Sequence, residues 1–356
     1  MAKKAFNIIV IKVGSSSLTN PQGNLDLTNL KRIALEISDL VKNKKKVILV
    51  TSGSIVCGAE RLGLGKPKTI PQKQAAAAVG QARLMRQYEK AFEKYDLTVA
   101  QVLLTRDAIA NRERYLNARH CFDTLLEENV IPIVNENDAV AIDEIKIGDN
   151  DNLAALTASL IGADLLVLLT DVDGFYMKNE EGVSFLADEI TEIDQNVEDA
   201  AGHPSTQLGT GGMITKIQAA RVCSNAGTYM AIVNGRKEGL IKQVIKGEPA
   251  GTLFIPKTSK MDSRKRWLAH GLQVEGKLVI DPGAESALLK QNTSLLPVGI
   301  LSSSGEFSRG ALVSIVDESS REIARGLIDI PSEELATMIG KKGVGIAIHR
   351  DNLVIL

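Results

Sequence analysis

The sequence predicts an α/β protein, a mainly parallel open sheet sandwiched by helices and followed by a small, mainly β domain. Three observations predict it. From Phe6 to about Phe254, nearly continuous apolar runs alternate with segments of helical spacing. Small and polar residues gather repeatedly where those runs stop. After Pro256 the texture changes to short alternating runs divided by turns. A chain of 356 residues also exceeds the size at which one core keeps growing, so two domains are expected. Their expected bounds are 1–256 and 273–356, with the stretch 257–272, polar and basic at its start, as a linker or connecting helix.

Residues 7–13 form the first apolar run, as a strand covered on both faces does. Similar runs lie at 46–50, 99–104, 130–134, 165–169 and 230–233. Helical spacing appears at 30–41, 74–95, 114–126, 153–161 and 216–226. Buried strands alternating with helices argue for parallel pairing with helices on both faces. In the second domain the short runs are 278–280, 298–300, 311–316, 322–327 and 346–349, interrupted by helices at 284–290 and 332–339.

In such a sheet, ligands bind beyond the carboxyl ends of the strands. Lys12-Val13-Gly14-Ser15-Ser16 ends the first run, Thr51-Ser52-Gly53 the second, Asn135-Glu136-Asn137-Asp138 the run at 130–134, and Thr170-Asp171 the run at 165–169. One such end is only a turn. Four in one sheet, with Gly148-Asp149-Asn150-Asp151-Asn152 opening a helix, read as a site. A helix cap explains one Asp or Asn there, not four. A second helix is preceded by Gly209-Thr210-Gly211-Gly212-Met213-Ile214-Thr215-Lys216. Its glycines let backbone N–H groups approach an anion, and the helix start adds its positive end. Alone, that stretch reads equally as a flexible surface loop, and Lys12 alone as a lysine snorkelling to solvent. Together with Asp151 at the same edge, a phosphate-facing lysine is favoured.

Composition excludes several classes. Hydrophobic content of 44% and charged content of 24% are ordinary for a soluble protein, and a net charge of −1 exerts no global pull on nucleic acid or anionic membrane. No apolar run reaches the roughly 18 residues of a membrane span, and the short run after Met1-Ala2-Lys3-Lys4 argues against a cleaved signal peptide. Cys57, Cys121 and Cys223 are far apart, and the four histidines are equally scattered, so reduced thiols are expected and a zinc site has no support. The glycine stretch lacks the order of a Walker A loop, and the first strand leads into no G-x-G-x-x-G. Asp149-Asn150-Asp151 fails as a calcium loop, because Leu153 stands where a third ligand is needed.

The polar clusters, in this order along the chain, resemble the glutamate 5-kinases, members of the amino acid kinase superfamily to which a PUA domain (a small pseudo-barrel) is often appended. The resemblance extends to Leu103-Leu104-Thr105-Arg106, Arg112-Glu113-Arg114 and, in the second domain, Gly305-Glu306-Phe307-Ser308-Arg309-Gly310. It covers nearly the whole chain. Ser54, Cys57 and Ile214 stand where smaller residues are usual.

The resemblance implies an amino acid kinase fold with a PUA-like β domain. It implies transfer of the γ-phosphoryl of ATP to the side-chain carboxylate of L-glutamate, giving glutamyl 5-phosphate in the first step of proline biosynthesis. Lys12, Lys216 and Asp151 are the implied catalytic residues. Ser52, Gly53, Asn135, Asp138 and Asn150 are implied to hold glutamate. Lys12, Gly14, Thr170, Asp171, Thr210, Gly211, Gly212, Met213, Ile214, Thr215 and Lys216 are implied to bind ATP. Mg2+ is expected on the phosphates, with protein ligands unidentified. Inhibition by proline, a glutamyl phosphate reductase as partner, a homo-oligomer and a cytoplasmic location follow by the same analogy. Asp149 and Asn152 are read as turn and cap only. The chemistry is consistent with this set, because a carboxylate acceptor is already ionised at neutral pH and needs no general base.

Three rivals stand beside this reading. Another member of the superfamily, such as an acetylglutamate kinase or a nucleoside monophosphate kinase, is the nearest. An RNA-binding or RNA-modifying protein is suggested by the PUA-like domain and by Ile339-Gly340-Lys341-Lys342-Gly343, which looks like the GxxG loop of a KH module. Yet residues 274–356 carry 8 Lys/Arg against 11 Asp/Glu, the wrong sign for a phosphate-binding face. An NAD-dependent oxidoreductase lacks its glycine fingerprint.

Overall fold

The computed structural model describes residues 5–105, 112–140, 150–179, 181–202, 212–257, 274–291 and 293–356. The chain divides into two compact units, Met1–Ser259 and Lys260–Leu356. Of the expected linker, only Lys257 lies within the described residues.

The first unit is built on an eight-stranded sheet. Its strands are β1 (Ile8–Val13), β2 (Lys46–Thr51), β3 (Val99–Leu104), β4 (Ile131–Glu136), β5 (Leu165–Thr170), β8 (Glu189–Ile190), β9 (Tyr229–Asn234) and β10 (Thr252–Phe254), in the spatial order β3-β4-β2-β1-β5-β9-β10-β8. All neighbours are parallel except β9 and β10. A hairpin of β6 (Tyr176–Lys178) and β7 (Ser184–Leu186) stands apart from the sheet. Every parallel strand expected from the apolar runs is present. The hairpin, the edge strand β8 and its neighbour β10 are absent from the expected runs, since two or three residues give no readable period.

Strand alternation sends side chains to two separate cores. Ile9, Ile11 and Val13 pack beneath α2 (Leu27–Lys42), α4 (Ile70–Glu93) and α9 (Leu240–Lys246). Val10, Ile48, Val50 and Leu168 pack beneath α5 (Arg112–Glu127), α6 (Asn150–Ile161) and α8 (Met213–Ala226). Lys12 shares the face of Val10 by the same alternation, which aims it at the starts of α6 and α8.

The remaining helices of the unit are α1 (Ser15–Leu18), α3 (Ser54–Leu62) and α7 (Gln195–Ala201). Helix α4 begins with a capping box, Thr69 Oγ1 accepting from Gln72 N while Gln72 reaches back to the Thr69 N–H. Its Gly80 lies directly against α3, where an added Cβ would stand 1.8 Å from the Ser54 carbonyl oxygen. Backbone approach that close tolerates only glycine, and it fixes α3 and the turn before it.

The second unit is a five-stranded sheet in the order β12 (Ile300–Ser304), β11 (Gly276–Ile280), β13 (Leu312–Val316), β14 (Glu322–Leu327), β15 (Leu353–Ile355), with helices α10 (Pro282–Gln291) and α11 (Ser332–Met338). Two expectations are corrected. The run at 298–300 is mostly the 3-10 turn Pro297–Gly299, with β12 starting only at Ile300. Residues 346–349 are not a ladder strand. Ala347 and Ile348 are fully buried, but Ile348 makes only an isolated bridge to Leu295, and the closing strand is β15. The buried residues are an adjacent pair, with Ile346 exposed, so the stretch has neither the alternation nor the pairing of a strand. Turns, that bridge and the 3-10 turn Arg350–Asn352 follow the Gly340–Gly343 loop, so it does not join two helices as a KH loop does.

Candidate active site

Parallel pairing brings the carboxyl ends of β1, β2, β4, β5 and β9 to one edge of the sheet. Backbone bonds extend the ladder into their turns, with Gly14 N donating to Leu169 O at 3.1 Å, Ser52 N to Val13 O at 3.2 Å and Gly235 N to Thr170 O at 2.7 Å.

At the centre is Asp151, 2% exposed in the first turn of α6. Lys12 Nζ lies 2.6 Å from its Oδ1, and Lys216 Nζ lies 3.0 Å from its Oδ2. Thr215 Oγ1 also donates to Oδ2, at 3.0 Å. Burial alone would raise the carboxyl, but the Lys12 and Lys216 ammoniums overcome it and hold Asp151 well below the usual carboxylate range. Two lysines on one carboxylate leave the trio a net positive charge. The N-terminal ends of α6 and α8 add to that potential. A buried, cationic, preorganised point of this kind is suited to an anion whose charge shifts during reaction.

On one flank lies a chain of amides. Asn150 Nδ2 sits 2.8 Å from Thr51 O, 2.9 Å from Ser52 Oγ and 3.1 Å from Asn135 Oδ1. Asn135 Oδ1 accepts from Glu136 N at 2.9 Å, and its Nδ2 donates to Gln81 Oε1 at 2.8 Å. The backbone groups at the two ends, Thr51 O and Glu136 N–H, fix which way each amide faces. Asp138 Oδ2 accepts from Ser54 Oγ at 3.2 Å, and Gly53 caps α3 with φ +106°. The expected acceptor-side residues Ser52, Gly53, Asn135, Asp138 and Asn150 thus lie at two neighbouring strand ends and the start of α6.

On the other flank, Thr170 is buried and donates Oγ1 to Asp171 Oδ1 at 3.1 Å, separate from the lysine trio. Gly14 is packed so that a Cβ on it would stand 3.4 Å from Lys12 Nζ. Gly212 caps α8, which carries Met213, exposed Ile214, Thr215 and Lys216. Thr210 and Gly211, like Gly148 and Asp149, lie outside the described residues, as do Arg106 and the rest of the 203–211 stretch before α8.

Several participants escaped the sequence reading. Gln81 was hidden in the inward face of α4, where one polar side chain interrupts a run of buried small and apolar ones. Thr215 was expected near nucleotide, and its bond to Asp151 was not anticipated. Asn152, read as a mere cap, donates Nδ2 to Gln218 Oε1 at 3.2 Å and links α6 to α8. Asn234 ends β9, so the strand-end rule could have found it.

Comparison with known proteins decides the family. Residues 7–234 match the model of the amino acid kinase family, and residues 276–350 match the PUA domain. The chain is 46% identical over 362 aligned positions to a glutamate 5-kinase of Moorella thermoacetica, covering 98% of this chain and 96% of the relative. Glutamate 5-kinases of Thermoanaerobacter sp. (strain X514) and Geobacter sulfurreducens are 45% and 44% identical, each over 98% of this chain and 97% of theirs. The chain belongs to the glutamate 5-kinase family. The PUA unit is a component of that family, so its presence favours no RNA-directed activity. A solved UMP kinase from Bacillus anthracis is similar over 72% of this chain and 98% of its own, at 15% identity and a TM-score of 0.48, too distant to carry weight for a member of the glutamate 5-kinase family.

Among the described residues no group of three or more His, Cys, Asp or Glu side chains is placed to hold a metal ion. Asp151, the buried carboxylate at the centre, is already engaged by two ammoniums. No described helix is long and apolar enough to cross a membrane.

Proposed function

We propose that this chain transfers the γ-phosphoryl group of ATP to the side-chain carboxylate of L-glutamate, as the first step of proline biosynthesis. The observation that carries this reading is the shared grip of Asp151 on Lys12 and Lys216, set between an amide-lined flank and a nucleotide-facing flank. An oxygen of the glutamate side chain attacks the γ-phosphorus, the bond to the β,γ-bridging oxygen breaks, and ADP leaves with its electrons. Phosphoryl transfer of this type depends on positioning and on neutralising charge. Lys12 and Lys216 do the latter, and Asp151 keeps both in place. Ser52, Asn150 and Asp138 hold the amino acid, with Asn135 fixing Asn150. Gly14, Thr170, Asp171 and residues 210–216 receive ATP. Magnesium would come with ATP and would draw its ligands mainly from phosphate and water oxygens, supplying charge neutralisation on the phosphates.

Proline, sharing an α-carboxylate and an amine with glutamate, is proposed as a competing inhibitor at the same flank. A reductase that takes the labile acyl phosphate directly is proposed as a partner, as are a homo-oligomer and a cytoplasmic setting. The two domains are proposed to span 1–256 and 273–356, joined by 257–272. The deciding assay is ATP-dependent hydroxamate formation with L-glutamate, with and without proline. Activity with L-glutamate but not with N-acetylglutamate or a nucleoside monophosphate supports the assignment, and the reverse preference would end it.

A further inference from the structure

The strand end of β9 leads into residues 234–239, a loop that none of the residues assigned above occupies. It touches the turns after β1 and after β5, on the nucleotide flank. Towards β1, Arg236 Nη2 donates to Ser16 O at 2.7 Å and to Thr19 O at 2.8 Å. Asn29, buried on α2, donates Nδ2 to Ser17 O at 2.6 Å and sits 3.1 Å from Gly235 O. Leu18 O takes the Asp26 N–H at 2.7 Å. The one-turn helix α1, which follows Gly14 directly, therefore has its orphan carbonyls filled from outside itself. Arg32, paired with Glu36 on α2, holds the loop's own carbonyls at Gly235 and Lys237.

Towards β5, Asn234 Nδ2 donates to Asp173 Oδ1 at 2.8 Å, and Lys237 Nζ pairs with the same oxygen at 2.8 Å. Gly235 is wedged between the two sides. A Cβ there would stand 2.5 Å from Ser17 Oγ and 2.9 Å from Leu169 Cβ. The Gly14 turn and the Thr170–Asp173 turn are thus fastened to one short loop.

We infer that residues 234–239 are a brace that sets the spacing between the phosphate-facing turn after β1 and the nucleoside-facing turn after β5, with Arg236 and Asp173 as positioning residues for ATP. The inference rests on the nucleotide flank assigned above. Neither residue has to touch the nucleotide. Arg236 bonds carbonyls of the segment that follows the Gly14 turn, and Asp173, within the turn after β5, bonds side chains of the brace. Without the brace, the turns must be ordered when ATP binds, and that cost appears as lost affinity.

The test is titration calorimetry of the full chain with Mg–ATP, joined to steady-state kinetics. Arg236→Ala weakens ATP binding about tenfold, equivalent to about 1.4 kcal/mol, and raises the ATP KM likewise. The glutamate KM stays within about twofold, because the amide flank makes none of these bonds. Arg236→Lys recovers part of the loss, since an ammonium still reaches one carbonyl. Asp173→Ala has an effect of the same order, and the double variant falls short of the product of the two, as expected for coupled contacts. Unchanged ATP affinity in Arg236→Ala overturns the inference, as does a glutamate KM that rises as far as the ATP KM. If the wild-type chain binds ATP but phosphorylates no glutamate, the proposed reaction fails, and calorimetry still decides for or against the brace.

Discussion

Lys12 and Lys216 meet through a single carboxylate, each bonded to a different oxygen of Asp151. One lysine comes from the central strand and the other from the first turn of α8, so their separation is set by how helix and sheet pack. Lys216→Ala leaves Asp151 still satisfied by Lys12 and Thr215, and this variant should fold. Its turnover is expected to drop by about 10²–10³, the scale of losing one preorganised charge partner. Folding checked by circular dichroism, followed by single-turnover kinetics, measures this directly, and unchanged turnover would remove Lys216 from the chemistry.

Asp151→Ala differs in kind. It leaves two buried ammoniums facing each other, and breaking a buried pair from one side costs about 3–5 kcal/mol. Loss of activity is expected together with a clearly lower urea midpoint. An active variant of wild-type stability would contradict the electrostatic account.

On the amide flank, Asn150→Ala removes the bonds to Thr51 O and Ser52 Oγ. The glutamate KM should rise at least about tenfold, the scale of one or two lost polar contacts, with the ATP KM little changed. Equal effects on both substrates would show that the two flanks are not separate.

The pH response follows from the depressed carboxyl of Asp151. A group whose folded pKa lies below its unfolded value of about 3.9 contributes stability that is fully present above that value. That contribution is lost as pH falls through the lower folded value. Denaturant midpoints should therefore hold from neutrality down to about pH 5 as far as this group is concerned, and Asp151→Asn should remove the part of the acid-side slope below it.

Among the cysteines, Cys57 is buried with its thiol pushed up to about 11, chiefly by desolvation, and Cys223 is buried and raised further for the same reason. Cys121 is exposed. A neutral-pH maleimide should label Cys121 alone in the native chain and all three after unfolding, as read by intact-mass measurement.

The parallel strands were legible because each is buried on both faces and long enough to show as an apolar run. Their polar ends could then be assembled by the rule that parallel strands open on one edge. Asp151 stood out because four polar residues at a helix start exceed what capping explains. Other features carried no such excess. Gln81 is one of four glutamines in α4 and nothing in the pattern sets it apart, and Arg236 acts by donating to carbonyls, which leave no trace in side-chain patterning. The strand expected at 346–349 failed for the converse reason, because its apolar residues mark an adjacent buried pair held beside Leu295 and not a ladder.

The strand order has a further consequence. Because β2 and β4 lie to one side of β1, and β5 and β9 to the other, the groups proposed to bind the acceptor and those proposed to hold the phosphate donor occupy different loops, which meet, among the described residues, at the lysine–carboxylate trio. A change of acceptor can therefore arise in the turns after β2 and β4 and at the start of α6 while the donor half stays intact. The layout separates what the enzyme acts on from what drives the reaction, and lets each be altered by substitution without rebuilding the other.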